Sequence, residues 1–115
     1  MTIEELKKKT DTFVVIADQN GFIIDVNAGD GLLGWQPQDL VGKPLTTIIP
    51  KNLQDAHHLG FSRFILSGQP TLLNQTLNLK VVAKDGRELD ADHFIIAERK
   101  QDQWVFGAMI HPHSS

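Results

Sequence analysis

The apolar residues of this chain fall into short runs whose spacing changes from one segment to the next. Ile3 and Leu6, three apart among charged residues, predict a short amphipathic helix. Thr2 and Glu5 bracket it as a capping box, and Lys7, Lys8 and Lys9 suit its C-terminal end. Residues 12–17 (Thr-Phe-Val-Val-Ile-Ala) are rich in β-branched side chains and predict a strand. Asp18 to Gly21, closing on Asn20-Gly21, carries a hairpin signal, and residues 22–26 predict the returning strand. The glycines and Asn/Asp residues of 27–34 predict short helical turns. Residues 37–41 predict one more turn, with Pro37 at its first position and Gly42 ending it. Residues 45–49 lead to Pro50, and 51–67 form the longest helical pattern, stopped by Gly68. Three apolar runs follow at 72–83, 87–98 and 104–110, separated by Asp85-Gly86 and residues 101–103; they predict strands. Residues 111–115 are expected to be a frayed tail, or one cut short of a following segment. One helix, a hairpin, several short helices and three strands make an α+β domain with an antiparallel sheet.

Composition narrows what such a domain can do. The 115 residues suit a single domain, with 1–11 as a capping helix, 12–110 as the body and 111–115 as a tail. No cysteine is present, which excludes disulfides, thiolate metal sites, iron–sulfur clusters and cysteinyl cofactor adducts. Eleven Lys and Arg against 14 Asp and Glu leave a net charge of -3, the wrong sign for general nucleic-acid binding. No apolar run is long enough to span a membrane, and residues 1–10 lack the apolar core of a signal peptide. A cytoplasmic location is expected.

Candidate pocket residues come from two periodicities. Leu53, His57, Phe61 and Phe64, at i, i+4, i+8 and i+11, form one stripe of the predicted 51–67 helix. His57 sits in the middle of that stripe, and His58 turns about 100° away from it. A histidine there is either a neutral core imidazole bonded to a carbonyl or a metal ligand. In the 87–98 strand, Leu89, Ala91, His93, Ile95 and Ala97 share one face, expected to be the inner one. Glu88, Asp90, Asp92, Phe94, Ile96 and Glu98 share the other. Leu72, Leu77 and Leu79 make the neighbouring wall apolar, with Gln75 facing in or out. An enzyme is not expected. Asp90 and Asp92 fall on the outer face, Ser62 near His58 lacks an orienting acid, and His111-Pro-His113 falls in the tail. Trp35 and Trp104 are expected to pack rather than stack on a cofactor.

Several stretches resemble one family. Residues 13–27 (Phe-Val-Val-Ile-Ala-Asp-Gln-Asn-Gly-Phe-Ile-Ile-Asp-Val-Asn) look like the opening of a PAS domain. Residues 32–45, with Trp35 after Gly34 and Asp39-Leu40 before Gly42, resemble its middle signature, and Lys84-Asp85-Gly86 its far hairpin. The resemblance implies a five-stranded antiparallel sheet with short helices on one face enclosing a ligand pocket, plus an N-terminal helix. It implies a sensory, non-catalytic role, a homodimer, and an output domain such as a kinase, cyclase or chemoreceptor module. Residues 49–64 further resemble the haem-binding PAS domains of bacterial oxygen-sensing histidine kinases and phosphodiesterases. That likeness implies haem b held non-covalently by His57 as proximal ligand, sensing redox state or a diatomic gas. His93 is then either a distal iron ligand or a donor to a bound gas. Leu53, Phe61, Phe64, Leu72, Gln75, Leu77, Leu79, Ala91 and Ile95 line the cofactor. The relatives' distal arginine, or methionine plus arginine, is replaced here by Gln75 and Leu77. Two other readings stand beside this one. One is a PAS module with a small organic ligand, or none, acting through dimerisation. The other is FAD, weakened by the missing cysteine.

Overall fold

The computed structural model describes residues 1–29, 31–54 and 76–113. It contains helix α1 (Ile3–Lys7), strands β1 (Phe13–Asp18) and β2 (Ile23–Asn27), and the short helix α2 (Pro37–Leu40). Two 3-10 turns, Leu45–Ile48 and Lys51–Leu53, precede β3 (Thr76–Val82), β4 (Glu88–Lys100) and β5 (Gln103–Pro112). The strands form one antiparallel sheet in the order β2-β1-β5-β4-β3. The first and last strands therefore lie side by side at its centre. The α+β architecture is as expected, and the strand bounds shift by one or two residues, except at the start of the expected 72–83 strand, where 72–75 lie outside the described residues. Within 27–34 the expected helical turns are single reverse turns, closed by Gly31 N–H to Ala28 O and Gly34 N–H to Gly31 O. Of the expected 51–67 helix, only its first residues to Gln54 lie inside the described range.

The C-terminal tail departs from expectation. β5 runs on to Pro112, and His113 N–H donates to Asp90 O at 2.8 Å. Residues 111–113 are thus an added stretch of ladder rather than a frayed end. Pro112 fits because it stands at the strand's last position, where a missing N–H breaks no interior bond.

Both faces of the sheet are covered, each by a different element. On the inner face, Phe13 and Val15 of β1, Ile23 and Val26 of β2, Val81, Ala91 and Ile110 pack with Leu33, Leu40 and Ile48. Ile23 and Val26 are three apart, yet both reach this face because the β1–β2 register slips between Ile16 and Ala17. A bulge of that kind re-aims a side chain. The outer face carries a smaller core of Val14, Ile16 and Ile96 under Ile3 and Leu6 of α1, with Phe94, Val105 and Met109 beside it. Helix α1 has only five residues and would not persist alone. Its capping box forms as predicted, and its Ile3 N–H donates to Glu98 Oε2 at 3.1 Å.

Two glycines make this packing possible. A Cβ on Gly107 would lie 2.6 Å from Leu6 Cδ1 and 2.8 Å from Ile3 Cδ1, so the bare backbone is the floor on which α1 sits. Gly29 has φ +62°, and a Cβ there would lie 2.5 Å from the Thr12 carbonyl carbon. The loop is tied at this point by Asn27, whose Oδ1 accepts from Gly29 N–H and whose Nδ2 donates to Lys9 O.

Candidate functional site

The candidate site is the β3–β4 half of the inner face. Cross-strand pairing sets it: Leu77 lies opposite His93, Leu79 opposite Ala91, and Val81 opposite Leu89. On the other side of β4, His93 pairs with Ile110 and Ile95 with Ala108. Directly opposed residues share a face, so Leu77, Leu79, His93, Ile95, Ala108 and Ile110 form one continuous wall. The expected alternation along β4 therefore holds. Its reverse face is not simply solvated, however. Ile96 is buried and Phe94 half-buried beneath α1 and its surroundings.

The wall is unevenly filled. Val15, at the centre of the same face, is 2% exposed, and Ala91 is sealed. Leu79, two residues from the sealed Val81, is 41% exposed, and Leu77, His93 and Ile95 are half-buried. Leu33, Leu40 and Ile48 pack in one cluster with Phe13, Val15, Ile23 and Val26 and with Val81, Ala83 and Ala91, and Trp35, Leu45 and Ile49 pack beside it. Trp35 is fixed by donation from Nε1 to Val82 O at 2.8 Å, a packing role as expected. Trp104 lies under the Arg99 guanidinium, 5.7 Å from the ring centre, at the far end of the β4–β5 hairpin.

His93 is the one ionisable side chain on the wall between Leu89 and Ala97 and their cross-strand partners. Burial holds its pKa below the usual histidine value, against smaller raising effects from its bond to Leu79 O and from the neighbouring Asp92 charge. The ring is therefore neutral near pH 7. Its Nε2 lies 3.2 Å from Leu79 O. A carbonyl oxygen only accepts, so Nε2 carries the proton and Nδ1 carries the lone pair.

The charged residues flanking the wall lie on the reverse face. Asp90 pairs with Lys80 at 3.1 Å and Asp92 with His113 at 3.0 Å. Asp90 is ion-paired with Lys80 and Asp92 contacts the His113 ring, so the two carboxylates have separate partners rather than converging as a catalytic couple. Among the described residues no three His, Asp or Glu side chains are placed to hold a metal ion. No helix among them is long and apolar enough to cross a membrane. A further ion pair, Lys84 Nζ to Asp39 Oδ2 at 3.0 Å, ties α2 to the β3–β4 turn. The Gln36 N–H, and then Lys84, hold the Asp39 carboxyl below its usual pKa.

Of the expected site residues, Leu77, Leu79, Ala91, His93 and Ile95 are brought together. Leu53 is half-buried at the start of the 51–67 segment. His57, His58, Phe61, Phe64, Leu72 and Gln75 lie outside the described residues. Sequence reasoning missed Gly107. The available signal was a glycine inside the apolar run Trp104 to Ile110, which marks a close approach of another element.

Comparison with known proteins agrees with this architecture. No family model matches the chain. A protein of Azorhizobium caulinodans, itself uncharacterised, is 27% identical over 99 residues, covering 84% of this chain and 14% of that protein. The chain thus spans about one seventh of that relative's length. Among solved structures, the PAS domain of a Desulfitobacterium hafniense protein superposes with a TM-score of 0.70 at 15% identity, over 90% of this chain and 93% of that one. The PAS domain of a Colwellia psychrerythraea protein gives 0.67 at 20% identity, over 93% of each chain. A PAS domain from a two-component sensor histidine kinase gives 0.70 at 13% identity, over 95% of this chain and 91% of that one. The chain has the fold of the PAS domains.

Proposed function

We propose that this chain is a sensory PAS module that takes a small, largely apolar molecule against the β3–β4 half of its inner face. The observation that carries the reading is the uneven filling of that face. Leu79 is 41% exposed there, while Val15 on the same face is 2% exposed. An aliphatic wall holding one polar group has the composition of small-molecule sites. Occupying it changes how firmly β3 and β4 are held, and a ligand that prefers one arrangement shifts the population towards it. The structural neighbour from a sensor histidine kinase, and the small share of its longer relative that this chain spans, support a module within a larger signalling protein. A homodimer and an adjoining kinase, cyclase or chemoreceptor domain belong to the same proposal.

A second reading is haem b held by His57. The aliphatic wall of Leu77, Leu79, Ala91 and Ile95 suits a porphyrin face. His93 does not fit as a second iron ligand through Nε2, which is engaged with Leu79 O; it fits as a wall residue. When bound, haem would supply gas or redox chemistry at its iron. The protein's part would be for His57 to hold the iron and for the wall to exclude water.

One preparation separates the two readings. The protein is expressed with a haem precursor, its visible spectrum is recorded, and an organic extract is analysed by mass spectrometry. A small apolar molecule in the extract of a colourless protein supports the first reading. A strong Soret band, lost in His57→Ala, supports the second. A colourless protein with an empty extract that also ignores added hemin and apolar probes sinks both.

A further inference from the structure

The wall residue His93 has one nitrogen committed and one left over. Nε2–H is used by Leu79 O. Nδ1 has no hydrogen-bond partner among the described residues. No buried side-chain nitrogen or oxygen among them lacks a partner, so Nδ1 of this half-buried ring is not sealed but open to what occupies the wall. Around it are Leu77 and Leu79 from β3, Ala91 and Ile95 from β4, and Ala108 and Ile110 from β5. None of these can donate a side-chain hydrogen bond. The neighbouring carboxylates of β4, Asp90 and Asp92, stand on the reverse face and are paired with Lys80 and His113. Arg99 shares the parity of the wall but lies at the hairpin end, over Trp104.

We propose that His93 determines the specificity of the site, its Nδ1 accepting a hydrogen bond from the hydroxyl of an apolar alcohol or phenol whose hydrocarbon part lies on Leu77, Leu79 and Ile95. This inference rests on the small-molecule reading above and names the ligand class. The Leu79 carbonyl fixes the tautomer, and with it the sign of the preference. A neutral ring that gives its proton to Leu79 can only accept from the ligand, so a donor is favoured over an acceptor. A ligand of the same shape carrying an ether in place of the hydroxyl leaves Nδ1 unpaired once water is displaced. Losing a partner in that way costs more than exchanging one partner for another.

The test compares two probes, 2-naphthol and 2-methoxynaphthalene, by isothermal titration at pH 7.5 on the wild-type protein. The naphthol should bind about tenfold more tightly, the worth of one hydrogen bond to a desolvated neutral acceptor. His93→Phe should bind both compounds alike. His93→Gln, whose amide can donate to Leu79 O and accept from the ligand, should keep a preference for the naphthol. Equal binding of the two probes by the wild type overturns the role of His93 but leaves an apolar site standing, and this comparison needs no variant to fold. A preference that persists in His93→Phe also overturns it. Binding of neither probe overturns both the role of His93 and the small-molecule reading beneath it.

Discussion

Helix α1 is anchored through Gly107, and that contact can be broken from either side. In Gly107→Ala the new Cβ would meet Leu6 Cδ1 at 2.6 Å, Ile3 Cδ1 at 2.8 Å and Ile16 Cδ1 at 3.2 Å. The first two are about an ångström inside the ordinary 3.5–4.0 Å carbon contact. These are methyl ends, but they belong to Ile3, Leu6 and Ile16, all at most 1% exposed, so they have little room to retreat. Overpacking of this kind costs about 1–3 kcal/mol. Removing a strand glycine returns about 0.5–1 kcal/mol through the unfolded chain. The net expectation is a loss of about 1–2 kcal/mol. Leu6→Ala leaves a cavity instead and should cost about 2–3 kcal/mol, near the low end for buried leucines, because α1 sits at the edge of the molecule. The double variant removes the methyl that the new Cβ strikes, so it should be about 1 kcal/mol more stable than the sum of the single effects. Urea unfolding of the four proteins measures this from the midpoints, provided the slopes agree. Additivity within about 0.5 kcal/mol, or a Gly107→Ala protein at least as stable as wild type, refutes the packing argument.

Three further outcomes follow from the same geometry. Gly29→Ala should lose about 3 kcal/mol or more, since the Cβ meets rigid Thr12 backbone at 2.5 Å in a left-handed conformation; a midpoint within error of wild type would contradict this. Because burial lowers the His93 pKa, the unfolded chain takes up that proton first. Stability should therefore be fully present above about pH 6.5 and fall as the pH drops below it, and His93→Gln should flatten this part of a urea-midpoint-against-pH curve. The Asp39 carboxyl is also lowered, by the Gln36 N–H and then Lys84. Its contribution should be present above about pH 4 and fade below it, so that wild type and Asp39→Asn converge in acid.

The strands were readable because each side of the sheet imposes alternation on its residues. Leu89, Ala91 and His93 announce the inner face of β4 by their spacing alone. The same spacing could not reveal why Phe94 and Ile96 stand among carboxylates on the other face. That depends on α1 folding back over them, a contact some ninety residues away in sequence that periodicity does not encode. The slip in β2 was hidden for a related reason. Ile23 and Val26 break a period of two, and only pairing with Ile16 and Ala17 shows the extra residue absorbed as a bulge. The tail is illegible in the sequence because Pro112 and two histidines look like loop chemistry, whereas β5 runs on to Pro112 and His113 N–H donates to Asp90 O. At the site, the inward direction of His93 was legible and its bond to Leu79 O was not. Which carbonyl a half-buried imidazole finds depends on cross-strand register.

The proposed function requires a ligand lying against the inner rather than the outer face of the sheet. Backbone shifts cannot distinguish two faces of one strand, but side-chain contacts can. Intermolecular nuclear Overhauser effects between 2-naphthol and methyl-labelled protein are the direct measurement. Contacts are expected from the naphthol ring to the methyls of Leu77, Leu79 and Ile95. Contacts confined to Met109 and the α1 methyls of Ile3 and Leu6 on the opposite face, or no contacts at all, would contradict it.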